Sequence, residues 1–93
     1  MNIWEIWLVK QGDILYSTQH RNADGTPERW RANGQTKRWK TRPNDFRIPL
    51  KRGLREYGYL TQRNMDAFAA SESSAEYFLM KQEDAENAHA HNR

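Results

Sequence analysis

Cationic side chains are the residues in this sequence best suited to chemistry, and they are concentrated in one stretch. Ten lysines and arginines but one acidic residue, Asp45, lie between positions 29 and 55, so that stretch carries a net charge of +9. Residues 64–93 carry two basic and six acidic side chains. Because concentrated positive charge attracts polyanions, the stretch indicates an anionic partner such as nucleic acid, a nucleoprotein or an acidic protein surface.

Catalysis and metal binding have little support in the sequence. No nucleophile–base signature, phosphate-binding loop or zinc-protease motif occurs, and the carboxylates that a metal-dependent nuclease would need are scattered beside predicted turns. The chain has no cysteine, which excludes disulfides and thiolate metal sites. His89 and His91 form an H-x-H pair with no third ligand near them in sequence. We therefore expect a non-catalytic protein without a metal or cofactor.

A predicted β-hairpin would place four of the cations on one surface. Asn33-Gly34, between segments 28–32 and 35–40, is typical of a two-residue type I′ turn and would fix which residues pair. Because paired residues share a face, Trp30 and Trp39 would lie together on the core side. The alternatives are an ordinary solvated face, and exposed tryptophans that stack on bases. The cations predicted on the outer side are Arg29, Arg31, Arg38 and Lys40.

The residues after this hairpin would extend the basic surface. Residues 46–51 alternate apolar and polar side chains, which is typical of a half-buried strand, and Pro49 would confine that strand to a sheet edge. Residues 52–61 contain two glycines and are expected to form a compact irregular segment. The cations that would extend the predicted surface are Arg42, Arg47, Lys51 and Arg52.

The flanking segments predict how this region is held. Residues 3–10, rich in β-branched and aromatic side chains, are expected to form a central strand that pairs antiparallel with residues 14–18. Residues 19–27 are expected to form a loop. Ser73 and Glu76 fit a capping box, which would begin a helix over about residues 74–86.

These elements predict an α+β fold, a small antiparallel sheet of four or five strands with one C-terminal helix. The alternative is a small all-β barrel with a frayed helical tail. We expect a single domain over residues 1–88 and a disordered C-terminal tail over residues 89–93.

Residues 30–61, and above all 39–61, resemble short uncharacterised proteins encoded by bacteriophages and prophages. The shared features are W-K-T-R-P at 39–43, F-R-I-P-L-K at 46–51, a Gly-Leu pair at 53–54 and Y-G-Y at 57–59. The resemblance implies a phage context and carries no assigned site. Small basic phage proteins often act on host nucleoprotein machinery, including as inhibitors of CRISPR defence, and that connection is one of analogy.

Two functions are compatible with these observations. One is a phage-type binding protein that docks through the basic hairpin face on nucleic acid or a host nucleoprotein complex. The other is an anti-CRISPR-like inhibitor that contacts a host defence complex through aromatic side chains. Residues 77–80, two aromatic and two aliphatic, would provide such a surface. Even the longest apolar runs, such as residues 6–9, are far shorter than the roughly 20 residues that span a bilayer. The N-terminus also lacks the pattern of a signal peptide, so we expect the cytoplasm of the bacterial host and no membrane partner.

Overall fold

The computed structural model describes residues 6–38 and 46–91. Among these residues, six strands form one antiparallel sheet and a single long helix follows it, which confirms the α+β prediction. Short 3-10 helices precede β1 and β6 at Ile6–Leu8 and Met65–Ala67. The remaining elements are β1 (Ile14–Arg21), β2 (Pro27–Ala32), β3 (Lys37–Arg38), β4 (Phe46–Arg52), β5 (Glu56–Thr61), β6 (Phe68–Ala69) and α1 (Glu72–His91).

The predicted hairpin at Asn33-Gly34 is wrong. Strands β2 and β3 do not pair with each other, because both run along the same edge of β4: Arg31 lies opposite Lys51, and Lys37 lies opposite Arg47. Neither Asn33 nor Gly34 has the positive φ that a type I′ turn requires. Residues 28–38 therefore run along one side of β4 in a single direction, with a bend between β2 and β3, and do not fold back on each other.

Pro49 explains where the segment between β2 and β3 bends away from β4. In an antiparallel strand the N–H and C=O of one residue point to the same side, and the Pro49 carbonyl accepts a 2.7 Å hydrogen bond from the Asn33 N–H. The N–H that proline lacks would therefore point at residues 33–36, where the chain leaves the ladder. A Cβ on Gly34 would lie 2.8 Å from Pro49 Cγ, so only glycine fits beside the proline ring.

Strand β4 lies inside the sheet, although Pro49 predicted an edge strand. Strands β2 and β3 pair with one side of β4, and β5 pairs with the other from Arg47↔Thr61 to Arg52↔Glu56. The irregular segment predicted for residues 52–61 is also wrong, because Glu56–Thr61 form β5. Gly58 of β5 faces the Trp30 indole, and a Cβ there would lie 3.6 Å from the Trp30 ring.

The buried core lies on one side of the sheet, which we call the first face. Strand partners share a face, and Ile48↔Leu60 and Ala32↔Leu50 place almost fully buried side chains there. Of the predicted central strand at residues 3–10, residues 3–5 lie outside the described residues, and Ile6–Leu8 form a 3-10 helix with Ile6 buried in this core. Strand β1 forms as predicted but pairs with β2 and β6, not with the described residues 6–10, and it continues into the predicted loop as far as Arg21.

Helix α1 begins earlier than predicted and packs on the opposite side, the second face. Its cap is Ser71, whose Oγ accepts a hydrogen bond from the Ser74 N–H at 3.2 Å, not the predicted Ser73. Arg21 lies on the second face as the strand partner of Pro27 and forms ion pairs with helix α1. The helix runs to His91 and so includes the start of the predicted tail, while residues 92–93 lie outside the described residues.

Candidate functional site

The second face of the sheet changes character from one end to the other. At the end formed by β1 and β6, helix α1 covers it and buries Ala75 and Leu79. Helix α1 also contacts β2, but Arg29 and Arg31 of that strand are exposed. Toward β4 and β5, no described element covers the second face, and apart from Pro49 and Thr61 its side chains are basic or aromatic. We call this uncovered end the basic face and define it by Arg29, Arg31, Lys37, Arg47, Lys51, Tyr57 and Tyr59.

The alternation of β4 produces this face. Ile48 and Leu50 point into the core, so Arg47, Pro49 and Lys51 must point the other way. Cross-strand pairing then extends the pattern: one row across four strands reads Ile14, Arg31, Lys51 and Tyr57. The core and the basic face are therefore specified by the same strand register.

Like charges lie directly opposite each other on the basic face. Arg31 pairs with Lys51 across β2 and β4, and Lys37 pairs with Arg47 across β3 and β4. Directly opposed like charges destabilise a sheet. Among the described residues, no carboxylate lies within ion-pair distance of Arg29, Arg31, Lys37 or Lys51, and no strand position on this face is acidic. The arrangement costs stability in the free protein and is suited to an anionic ligand.

Two tyrosines of β5 stand among these cations. Tyr57 and Tyr59 are 66% and 49% exposed. The Lys51 Nζ lies 5.5 Å from the centroid of the Tyr57 ring, and the Arg47 guanidinium carbon lies 4.8 Å from that of Tyr59. These distances fall within the range of cation–π contacts, so a cation lies over one flat face of each ring.

Arg21 of β1 links the sheet to helix α1 through ion pairs. Its guanidinium donates to Glu83 through Nε and Nη2, both at 2.8 Å, and to Glu76 through Nη1 at 2.7 Å. These charge-assisted hydrogen bonds hold the pKa values of Glu76 and Glu83 below their ordinary value and raise the pKa of Arg21. The two helix carboxylates are thus already engaged by an arginine of β1.

The predicted binding residues divide into three groups. Arg29, Arg31, Arg47 and Lys51 share the basic face, as the functional prediction requires. Arg38 does not, because its partner is Phe46, on the side of the core, and its guanidinium carbon lies 5.5 Å from the Phe46 ring centroid. Lys40 and Arg42 lie outside the described residues, as does Trp39.

Arg52 does not lie on the basic face either. It lies on the first face, where its guanidinium is 2.8 Å from Glu56 and 3.4 Å from Glu28. It also packs over the Trp30 ring with its Cζ 5.9 Å from the centroid. Its side chain is 29% exposed, and these contacts give it a structural role. Trp30 packs against the core, as predicted, and its ring also makes an edge contact with that of Phe68.

Sequence reasoning missed three members of the basic face. It left Lys37 out of the outer cations, because the assumed hairpin register reversed the direction of its side chain. It missed Tyr57 and Tyr59, because the two glycines of residues 52–61 indicated an irregular segment instead of a strand. The signal that could have found them is the Y-G-Y alternation, in which glycine occupies the inward position.

The part of the chain that the structure describes contains no group of three or more histidine or acidic side chains that could hold a metal ion. None of its helices is long and apolar enough to cross a membrane. Comparisons with protein-family models, curated proteins and solved structures found no match.

Proposed function

We propose that this chain is a non-catalytic binding protein that docks on nucleic acid, alone or within a nucleoprotein complex, through the basic face. The observation that carries the proposal is the pair of directly opposed cations Arg31 and Lys51, with Arg29 and Lys37 on the same face. A phosphate backbone bound across these cations would relieve their repulsion and release counterions, and both effects favour binding. The partner class is the one expected from the sequence, but the binding surface is the basic face of the sheet and not a hairpin.

The test reverses charge at the centre of the face. In the double variant Arg31→Glu/Lys51→Glu we expect loss of binding to fluorescein-labelled oligonucleotides, measured by anisotropy. The matched control is Lys10→Glu/Lys81→Glu, which makes the same change in net charge at two exposed positions outside the face. Circular dichroism and a thermal melt establish that both variants are folded. Wild-type affinity in a folded Arg31→Glu/Lys51→Glu variant would end the proposal.

A second candidate function is inhibition of a host defence complex by protein–protein contact, in the manner of an anti-CRISPR. The observation that favours it is on helix α1, where Tyr77 and Met80 are exposed and Tyr77 lines a cleft of about 920 Å³ between the helix and β6. Exposed aromatics and methionine are enriched at protein interfaces.

Capture experiments from bacterial lysate, with and without nuclease treatment, separate the two candidates. Association that disappears with nuclease and with Arg31→Glu/Lys51→Glu supports the nucleic-acid function. Association that survives nuclease and is lost in Tyr77→Ala/Met80→Ala supports the inhibitor. The phage context rests on the motif resemblance, and it predicts that the captured partner belongs to a bacterial host.

A further inference from the structure

The tyrosines of the basic face give it a capacity that charge alone does not. Tyr57 and Tyr59 lie two residues apart on β5, so their side chains leave the same face. At 3.3–3.4 Å per residue their attachment points are about 6.7 Å apart. Strand β5 pairs only with β4 among the described strands, so the two rings stand at an open edge. Exposed rings set among cations are the features by which proteins hold unpaired nucleotides.

We propose that the basic face binds single-stranded nucleic acid, with bases stacked on Tyr57 and Tyr59 and phosphates on Arg29, Arg31, Lys37 and Lys51. This inference rests on the proposed function and specifies its ligand. The shared chemistry of the ligand is an unpaired sugar–phosphate strand, which DNA and RNA both supply.

The ring positions favour a single strand over a duplex. In a duplex the flat faces of the bases are covered by their neighbours, so an exposed tyrosine ring has nothing to stack on. Successive nucleotides along one strand of a duplex rise by about 3.4 Å, roughly half the tyrosine spacing, whereas an unstacked strand can extend to reach both rings. A ligand that contacts the protein only through its phosphates would need the cations of the basic face and not its tyrosines.

Cations and a ring also lie next to each other across the strands, as the phosphates and bases of such a ligand do. The row Arg31, Lys51, Tyr57 runs across β2, β4 and β5 and places two positive charges beside one ring. Lys51 Nζ lies over one face of the Tyr57 ring, 5.5 Å from its centroid, so a base would stack on the other face of this 66% exposed side chain, with its phosphate within reach of the face's cations. Because every base has a flat face, this mode of binding tolerates many sequences.

The test compares unpaired and paired ligands with ring-removing variants. The probes are labelled 12-nucleotide oligo-dT and oligo-U and a 12-base-pair duplex, and the readout is anisotropy at fixed salt. Tyr57→Thr and Tyr59→Thr remove the ring and introduce a β-branched side chain, which also suits a strand. Each is expected to weaken single-strand binding by about 5- to 150-fold, with unchanged duplex binding. Tyr57→Phe and Tyr59→Phe keep the ring and should bind as the wild type does.

Salt titration supplies a second readout that does not depend on strand stability. The tyrosine variants keep every cation, so the slope of log affinity against log salt should equal that of the wild type. The oligo-dT and oligo-U arms report whether the face distinguishes DNA from RNA.

The outcomes separate this inference from the proposed function. Equal affinity for single strand and duplex, or folded threonine variants that bind oligo-dT and oligo-U as the wild type does, overturns the stacking inference. If Arg31→Glu/Lys51→Glu still abolishes binding in that case, the nucleic-acid function stands without it. If the wild type binds none of the three probes, both fail.

Discussion

Removing two cations from the basic face should change how strongly binding depends on salt. Four cations of the face, Arg29, Arg31, Lys37 and Lys51, have no carboxylate partner among the described residues. If each neutralises one phosphate of a single strand, log affinity falls with log salt at a slope of about −0.7 per contact, or about −2.8 in total. Affinity should then drop about 50-fold between 50 and 200 mM salt.

The neutral variant Arg31→Gln/Lys51→Gln halves the number of these contacts. Its slope should be about −1.4, so the same salt increase should weaken binding only about 7-fold. The assay is anisotropy of labelled oligo-dT at four or more salt concentrations, with Lys10→Gln/Lys81→Gln as the control of equal net charge. A slope that is the same in the face variant and in the control would refute the reasoning, since the lost charges would then have made no phosphate contacts.

Three further predictions concern the fold. Gly34→Ala should destabilise the protein by about 1–3 kcal/mol in urea unfolding, because its Cβ would press on the Pro49 ring, and the cost should vanish in a Pro49→Ala background. Leu60→Ala should lower the free energy of unfolding by about 2–5 kcal/mol, whereas Leu54→Ala at a highly exposed position should change it by less than about 0.5 kcal/mol. Glu83 has a folded-state pKa below its ordinary 4.5, so stability present above pH 4.5 is lost as acid protonates it. A urea titration from roughly pH 6 to pH 3 should show a shallower loss in Glu83→Gln.

The sequence was sufficient for the fold class and for the direction of side chains along β4. In Phe46–Arg52 the alternation of apolar and polar residues is strong, and it correctly placed Ile48 and Leu50 inward and Arg47 and Lys51 outward. The helix was also predictable from its pattern, although the cap was assigned to Ser73 rather than Ser71. Three serines within four residues offer several caps, and local propensity does not choose among them.

Strand pairing was not predictable, and this changed the site. Asn33-Gly34 is a strong local signal for a hairpin. Here, however, the glycine at position 34 makes room for the ring of Pro49, fifteen residues further along the chain. The resulting register moved Arg38 to the other face and brought Lys37 onto the basic face. Likewise, Ile6 belongs to the core through a 3-10 helix, because packing over β4 overrides the β propensity of the N-terminal segment.

The row that joins Ile14, Arg31, Lys51 and Tyr57 takes one residue from each of four strands. An unfolded chain cannot hold these groups at that spacing, so a ligand that spans the row recognises the native state and shifts the folding equilibrium toward it. Melting temperature should consequently report occupancy. Without a ligand, added salt screens the repulsion between Arg31 and Lys51, so moderate ionic strength should stabilise the empty protein while weakening its hold on a polyanion.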